Sequence, residues 1–166
     1  MKAMARRIAR KFKKILDGSQ AKKVVPISNP YPIQVPQNAG RSSVDDYWGE
    51  HTIKSEPFAT PQDSLDWLTY RSKIYPLSFQ FKGLWDDHQG KVLLDYGCGP
   101  GHDFMGFQVF SRPTRVIGID ISHKALSLAG HNTALHQIPA ERVELIQTGD
   151  LSGRIPLPDG AVDYVH

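Results

Sequence analysis

Three short motifs in this chain of 166 residues combine residue types that bind ligands. The first, residues 95–101 with the sequence DYGCGPG, places glycines at alternate positions behind an acid. Alternate glycines leave a turn without Cβ atoms, so a ligand can lie directly against backbone N–H groups. The second motif is the carboxylate of Asp120, which can accept two hydrogen bonds from a diol. The third is Gly149-Asp150, a turn whose acidic side chain can meet the edge of a ligand.

Each motif directly follows a segment with the pattern of a buried β-strand. Four such apolar runs occur, at residues 91–96, 115–120, 142–147 and 162–166. Helical patterns lie before and between them, at residues 61–75, at residues 102–111 and after the capping residue Ser122. Strands that alternate with helices at this spacing predict a Rossmann-like, doubly wound parallel α/β sheet. Ligands of such sheets bind at the carboxyl ends of the strands, so the three motifs are expected to share one nucleoside-type site.

The glycine cluster departs from the dinucleotide-binding fingerprint G-x-G-x-x-G. Its sixth position is His102 when counted from Gly97 and Phe104 when counted from Gly99. Instead, Asp95 stands two residues before a G-x-G-x-G run. Over roughly residues 45–166 the chain resembles the class I S-adenosylmethionine-dependent methyltransferases, in particular the type 11-like group. The glycine loop, the acidic strand end in VIGIDIS, the Gly149-Asp150 turn and the segment LPDGAVDYVH occur in that family's order.

The resemblance implies S-adenosylmethionine as cofactor and a defined set of contacts. Backbone at the three glycines would approach the methionyl part, with Asp95 near its amino group. Asp120 would take the ribose hydroxyls, and Ile121 would lie on the adenine face. Asp150 would meet the adenine amino group with Leu151 beside it. The implied cofactor-binding residues are Asp95, Tyr96, Gly97, Cys98, Gly99, Gly101, Asp120, Ile121, Asp150 and Leu151.

The sequence does not identify a catalytic base. Tyr47, Trp48, Tyr70 and Arg71 precede the glycine loop and are candidates for closing the pocket. Ordinary packing of the aromatic side chains and a surface ion pair for Arg71 are an equally good interpretation. We expect methyl transfer to a small-molecule or lipid-type acceptor, with nucleic acid disfavoured as a partner. The alternatives are an RNA methyltransferase and a non-catalytic Rossmann-like interaction module.

The family's sheet has seven strands, whereas this sequence reaches only the fourth. We therefore divide the chain into a helical flank at residues 45–90 and an incomplete cofactor-binding half at residues 91–166. The expectation is a fragment or a truncated product, inactive on its own. Its fourth strand would form an open, aggregation-prone edge.

The N-terminal part differs in charge from the remainder. Residues 1–23 carry nine Lys/Arg against Asp17, a net +8, whereas the other residues carry 11 basic and 16 acidic side chains, a net −5. On a helix this arm would be amphipathic, which favours peripheral contact of residues 1–16 with an anionic membrane surface. A solubilising tail, a helix docked on the body, a transit peptide and an RNA-binding arm remain alternatives. Four prolines between residues 26 and 36 predict an extended linker at residues 24–44.

Composition limits the remaining function classes. A single cysteine, Cys98, excludes an internal disulfide, and no Cys/His cluster provides a structural zinc site. His131 and His136 do not share a helix face, so we expect no metal. No run approaches the ~18 apolar residues of a membrane span, and no secretory signal pattern follows the basic start. We expect a cytoplasmic protein, with membrane-peripheral contact as the open point.

Overall fold

The computed structural model describes residues 24–36, 43–52, 54–81, 84, 86–149 and 154–166. The predicted N-terminal helix, and the candidate site residues Asp150 and Leu151, lie outside these ranges. The elements in chain order are β1 (Ile33–Gln34), α1 (Ser43–His51), α2 (Pro61–Ile74), α3 (Pro76–Phe81), β2 (Val92–Tyr96), α4 (His102–Phe110), β3 (Arg115–Asp120), α5 (His123–Ala134), a 3-10 turn (Ala140–Arg142), β4 (Val143–Gln147) and β5 (Tyr164–Val165).

The five strands form one parallel sheet in the order β1-β4-β3-β2-β5. This confirms the predicted Rossmann-like α/β fold. Tyr96 at the end of β2 is in register with Ile119, and Asp120 at the end of β3 is in register with Gln147. The carboxyl ends of the three central strands are therefore level, which brings the loops that follow them to one edge of the sheet.

The apolar strands bury side chains on both faces of the sheet, as parallel strands usually do. Consecutive residues of β2 illustrate this, because Leu93 and Leu94 belong to two separate buried clusters. Leu93 packs in a large cluster with Phe104 of α4 and Leu126 of α5. Leu94 packs in a smaller cluster that the partly buried Leu157 and Val162 adjoin. Helices α4 and α5 thus fix one side of the sheet and also begin at its ligand-binding edge.

The segment predicted as a linker, residues 24–44, is partly built into the domain. Ile33 pairs with Leu145 of β4, which makes β1 an edge strand. Tyr31 is buried, and its hydroxyl donates a hydrogen bond to the carbonyl of Ile138 at 2.7 Å. Prolines tolerate an edge position because the outer side of an edge strand needs no N–H donor. Residues 31–34 of this segment therefore pack on the domain, and the division of residues 24–44 as a linker stays a prediction.

Other elements differ from the predicted ranges only at their ends. Helix α2 begins as predicted, because Thr60 and Asp63 form a reciprocal capping box and Pro61 occupies the first turn. The helix ends one residue early, at Ile74, and Pro76 then opens the short helix α3. The fourth predicted strand shortens to Tyr164–Val165, and it lies beside β2 as expected. None of the described helices is long and apolar enough to cross a membrane.

Candidate functional site

The glycine loop after β2 forms an open backbone cradle. Its start is fixed because the N–H groups of Gly97 and Cys98 donate to the carbonyl of Ile119, at 2.8 and 3.0 Å. Gly97 and Gly99 have φ values of 74° and 54°, which L side chains rarely adopt. A Cβ atom at either position would meet no atom within 4 Å. The space above these two residues is therefore open, as backbone contact with a ligand requires.

The third glycine of the motif has a different role. A Cβ atom at Gly101 would lie 2.6 Å from the Cβ of Ala129 in α5. Gly101 also lies outside the lining of the cavity described below, and its carbonyl accepts the first helical bond of α4 from Met105. The structure thus gives Gly101 a packing function between the loop and α5. The expected approach of its backbone to a ligand stays a prediction.

The carboxylate of Asp120 joins the end of β3 to the glycine loop. Its Oδ2 accepts a hydrogen bond from the N–H of Gly99 and its Oδ1 accepts one from the N–H of Ser122, both at 2.8 Å. Burial raises the pKa of Asp120, and the N–H groups of Ser122, Gly99 and Ile121 oppose that shift. Each carboxylate oxygen has a second lone pair. Asp120 is thus held in one orientation, with acceptor capacity left for a ligand.

Beneath the loop, Asp95 and Cys98 are both buried. Burial raises the pKa of the Cys98 thiol well above its usual value, and the carboxylates of Asp95 and Asp120 add to the shift. The thiol therefore remains protonated at neutral pH and is a poor nucleophile. Cys98 acts as a small packing residue within the loop.

A cavity of about 930 Å³ lies over the carboxyl ends of β2 and β3. Seven of the ten predicted cofactor-binding residues line it: Asp95, Tyr96, Gly97, Cys98, Gly99, Asp120 and Ile121. From the flank, Trp48, Tyr70 and Arg71 also line it. Tyr47 does not, because its ring stacks on His51 with a centroid distance of 4.2 Å. The volume lies at the upper end of the range for small-molecule sites, which leaves room for two ligands.

The cavity wall also holds a charged cluster of Arg71, Asp103 and His166 that the sequence did not predict. Arg71 donates two hydrogen bonds to Asp103, Nη1 to Oδ1 at 2.8 Å and Nη2 to Oδ2 at 3.2 Å. The Nε2 of His166 lies 3.3 Å from the same Oδ2. The Asp103 side chain is only 9% exposed, so the pair is no ordinary surface ion pair. The three residues are far apart in sequence, and no local pattern marks them.

His102, the first residue of α4, is a further polar group of the cavity that sequence reasoning did not assign to it. Burial, with the nearby Arg71 charge, lowers the pKa of His102 to about 4. The imidazole is therefore neutral at physiological pH. Its ring lies near Phe58 and Trp67, at centroid distances of 5.7 and 5.9 Å. Its buried Nε2 has no hydrogen-bond partner among the described residues.

A family profile described as a methyltransferase domain matches residues 87–166. The match spans the glycine loop, Asp120 and all strands from β2 to β5. Residues 87–166 thus match a methyltransferase domain, and over this range the resemblance to the class I S-adenosylmethionine-dependent methyltransferases is confirmed. The neutral His102 and Asp103 lie within the matched range and line the cavity. Arg71, the partner of Asp103, also lines the cavity but precedes the matched range.

The chain resembles several known proteins over part of their length. A protein of Methanocaldococcus jannaschii named as a ribosomal RNA large subunit methyltransferase is 41% identical over 61 residues, which are 36% of this chain and 15% of that one. An rRNA N(6)-adenosine-methyltransferase of Caenorhabditis elegans is 27% identical over 108 residues, 65% of this chain and 50% of that one.

Among solved structures, a methyltransferase of Thiobacillus denitrificans in complex with S-adenosyl-L-homocysteine aligns with a TM-score of 0.42 and 20% identity, over 74% of this chain and 41% of that one. The chain thus spans half or less of the length of these three proteins.

S-adenosylmethionine is the methyl donor of this family, and the residues present fit it. The cradle at Gly97 and Gly99 is open to a ligand, as a Cβ atom there would meet nothing. Asp120 lies beside that cradle with acceptor capacity left, which suits a ribose hydroxyl. Within the described residues, no group of three His, Cys, Asp or Glu side chains converges in a way that would hold a metal ion.

Proposed function

We propose that this chain binds S-adenosylmethionine between the glycine loop and Asp120, and that it supports methyl transfer to a small-molecule or lipid-type acceptor. The observation that carries the proposal is the hydrogen bond from the Gly99 N–H to Asp120 Oδ2 at 2.8 Å. That bond joins the open cradle to the fixed carboxylate. A nucleoside and its attached chain can therefore contact both at once.

In this proposal each half of the cofactor has its own residues. Asp120 accepts hydrogen bonds from the ribose hydroxyls, and Ile121 packs on the adenine. The backbone at Gly97 and Gly99 faces the methionyl part, with Asp95 near its amino group. Asp150 and Leu151 are proposed for the adenine edge on the basis of the family resemblance alone.

The cofactor supplies an activated methyl group on a sulfonium. The residues of this chain then have mainly to align the acceptor with that methyl group and to keep the pair in place. Trp48, Tyr70 and Arg71 are positioned for this task, because they line the same cavity from the helical flank. A base that takes the proton of the acceptor adds to the rate where the acceptor is protic.

Calorimetric titration with S-adenosylhomocysteine tests the binding part of the proposal. The wild type is expected to bind, and Asp120→Asn is expected to bind more weakly because the amide replaces one acceptor oxygen by a donor. Asp159→Asn, in an exposed turn outside the cavity, is the matched control and should bind like the wild type. An Asp120→Asn variant with unchanged affinity would remove Asp120 from the site.

Methylation of RNA is a second candidate function. Two relatives carry ribosomal RNA in their names, and the arm at residues 1–23 has a net charge of +8. Binding that depends on phosphate contacts weakens steeply with salt. We therefore expect the RNA candidate to show strongly salt-dependent retention of RNA, which removal of residues 1–23 abolishes. A non-catalytic module would instead show no S-adenosylhomocysteine binding at all.

A further inference from the structure

The cavity has a wall made of aromatic rings in addition to the cradle and Asp120. Five large aromatic side chains line it: Trp48, Trp67, Tyr70, Tyr75 and Tyr96. All but Trp67 are 47–57% exposed. Exposed rings around a cavity offer flat apolar faces on which another planar ring can stack. We call these five side chains the aromatic wall.

His166 lines the same cavity and is held beside the residue that precedes the glycine loop. Its N–H donates to the carbonyl of Leu94 at 2.8 Å, and its carbonyl accepts from the N–H of Tyr96 at 3.0 Å. Tyr96 is the residue directly before the glycine loop. The backbone of β5 thus holds His166 next to the part of the cavity where the cradle begins.

The Asp103 carboxylate orients the His166 imidazole. A carboxylate only accepts hydrogen bonds, so Nε2 of His166 must be the donor across the 3.3 Å contact. In the neutral ring, Nδ1 then keeps a free lone pair, which is the state that a general base needs. Arg71 holds Asp103 by two parallel hydrogen bonds and fixes the carboxylate plane.

We infer that His166 accepts the proton of the methyl acceptor, that Asp103 positions it, and that the acceptor is a phenol whose ring stacks on the aromatic wall. This inference rests on the proposed function. A phenolic hydroxyl has a pKa near 10, as in the Tyr side chain. An imidazole can remove this proton far more readily than the proton of an aliphatic alcohol, which is a much weaker acid. The ring of a phenol therefore fits the aromatic wall, and its hydroxyl fits the His166 base.

The step balances without a further reactant. An electron pair of the phenolic oxygen forms the new C–O bond to the methyl carbon, while the C–S bond breaks and its electron pair stays on sulfur. The hydroxyl proton passes to Nδ1 of His166 and then to solvent. The products are a methyl ether, S-adenosylhomocysteine and one proton.

The test uses the full reading frame that contains these residues and methyl-labelled S-adenosylmethionine. The probes are 2-naphthol and catechol as planar phenols and cyclohexanol as a non-aromatic alcohol. Label is expected to pass to the phenols and not to cyclohexanol. His166→Ala should lower kcat about 100-fold or more, in line with the loss of a general base, while S-adenosylhomocysteine affinity and phenol KM change little. Added imidazole should restore part of kcat.

Two further variants complete the test. Asp103→Asn should lower kcat about tenfold, and imidazole should not restore it, because His166 is still present but poorly oriented. His123→Ala removes an exposed histidine outside the cavity and should leave kcat unchanged. Folding of each variant is checked by its thermal melt and by S-adenosylhomocysteine binding.

The outcomes separate this inference from the proposed function. Absent S-adenosylhomocysteine binding by the wild type overturns the proposed function and the inference with it. Binding together with transfer to an RNA or to cyclohexanol but to no phenol overturns the inference alone. So does a folded His166→Ala variant that methylates phenols at the wild-type rate, or one that imidazole does not rescue.

Discussion

The two sides of the cavity are built in different ways. What we propose as the donor side, formed by residues 95–99 and Asp120, lies at the ends of the two adjacent strands β2 and β3. What we propose as the acceptor side, formed by the aromatic wall other than Tyr96 together with Arg71, Asp103 and His166, consists of side chains from the helical flank, from α4 and from the residue after β5. Backbone at strand ends can be kept while side chains vary. In this proposal, cofactor and acceptor recognition can change independently on one sheet.

Gly99→Val should produce the largest separation between the two sides. The new side chain occupies the open cradle and also strains a residue at φ 54°. We expect S-adenosylhomocysteine binding to be abolished, with a stability loss of about 1–3 kcal/mol. Titration calorimetry and thermal melts provide the two measurements.

Gly160→Val is the matched control for backbone strain. Gly160 has φ 73°, and a Cβ atom there would also meet nothing within 4 Å, but the residue lies outside the cavity. This variant should lose similar stability and still bind. If the Gly99 and Gly160 variants bind equally well, the cradle is not a ligand site.

Asp120→Ala is expected to have the next largest effect on the donor side. Loss of even one charge-assisted hydrogen bond, worth about 1.5–3 kcal/mol, lowers S-adenosylhomocysteine affinity about tenfold to a few hundredfold. Burial raises the pKa of Asp120, so this carboxylate becomes protonated at a higher pH than an ordinary aspartate does. The affinity of the wild type for S-adenosylhomocysteine should therefore begin to fall at that higher pH. Calorimetry over an acidic pH series should show this decline in the wild type and not in the variant.

His102→Phe tests the boundary between the two sides, since His102 follows the loop and its ring lies near Phe58 and Trp67 of the flank. A folded-state pKa of about 4 against the usual 6.5 means that the unfolded chain binds the proton first as pH falls. The wild type should therefore lose up to about 3 kcal/mol of stability between pH 6.5 and 4. Denaturant unfolding should show a smaller loss for His102→Phe; an equal loss would contradict the buried neutral state.

Tyr70→Leu should have the smallest effect on stability and on cofactor affinity, and it tests the acceptor side alone. Tyr70 is 54% exposed and its ring lies 5.5 Å from that of Trp67. Stability is expected to change within about 0.5 kcal/mol, as for most surface positions. S-adenosylhomocysteine affinity should change less than threefold, while the KM for a phenol rises. A large loss of cofactor affinity would show that the two sides are not separable.

The same division explains what the sequence could predict. The glycine loop and Asp120 follow apolar strands within about 25 residues of one another, so strand periodicity alone places them together. Arg71, Asp103 and His166 meet only through packing of α2, α4 and β5, which periodicity does not define. The motif also does not reveal the close approach of Gly101 to Ala129, because that contact depends on the packing of α5.

The pairing of residues 33–34 with β4 was not predicted, for a related reason. Four prolines set local backbone geometry, but they do not show whether a distant strand offers a pairing edge. The burial of Tyr31 and the pairing of Ile33 with Leu145 depend on β4, more than 100 residues later in the chain. Local patterns therefore predicted the central strands and missed the outer one.

The close approach of Gly101 to Ala129 has an evolutionary consequence. The start of α4 lies against α5 with no room for another methyl group, since a Cβ at position 101 would stand 2.6 Å from that of Ala129. Helix α5 begins after Ser122, whose N–H binds Asp120. A larger residue at position 101 or 129 would shift α5 and, with it, the Asp120 carboxylate. In a lineage of such domains, the two positions should accept size changes only in compensating pairs.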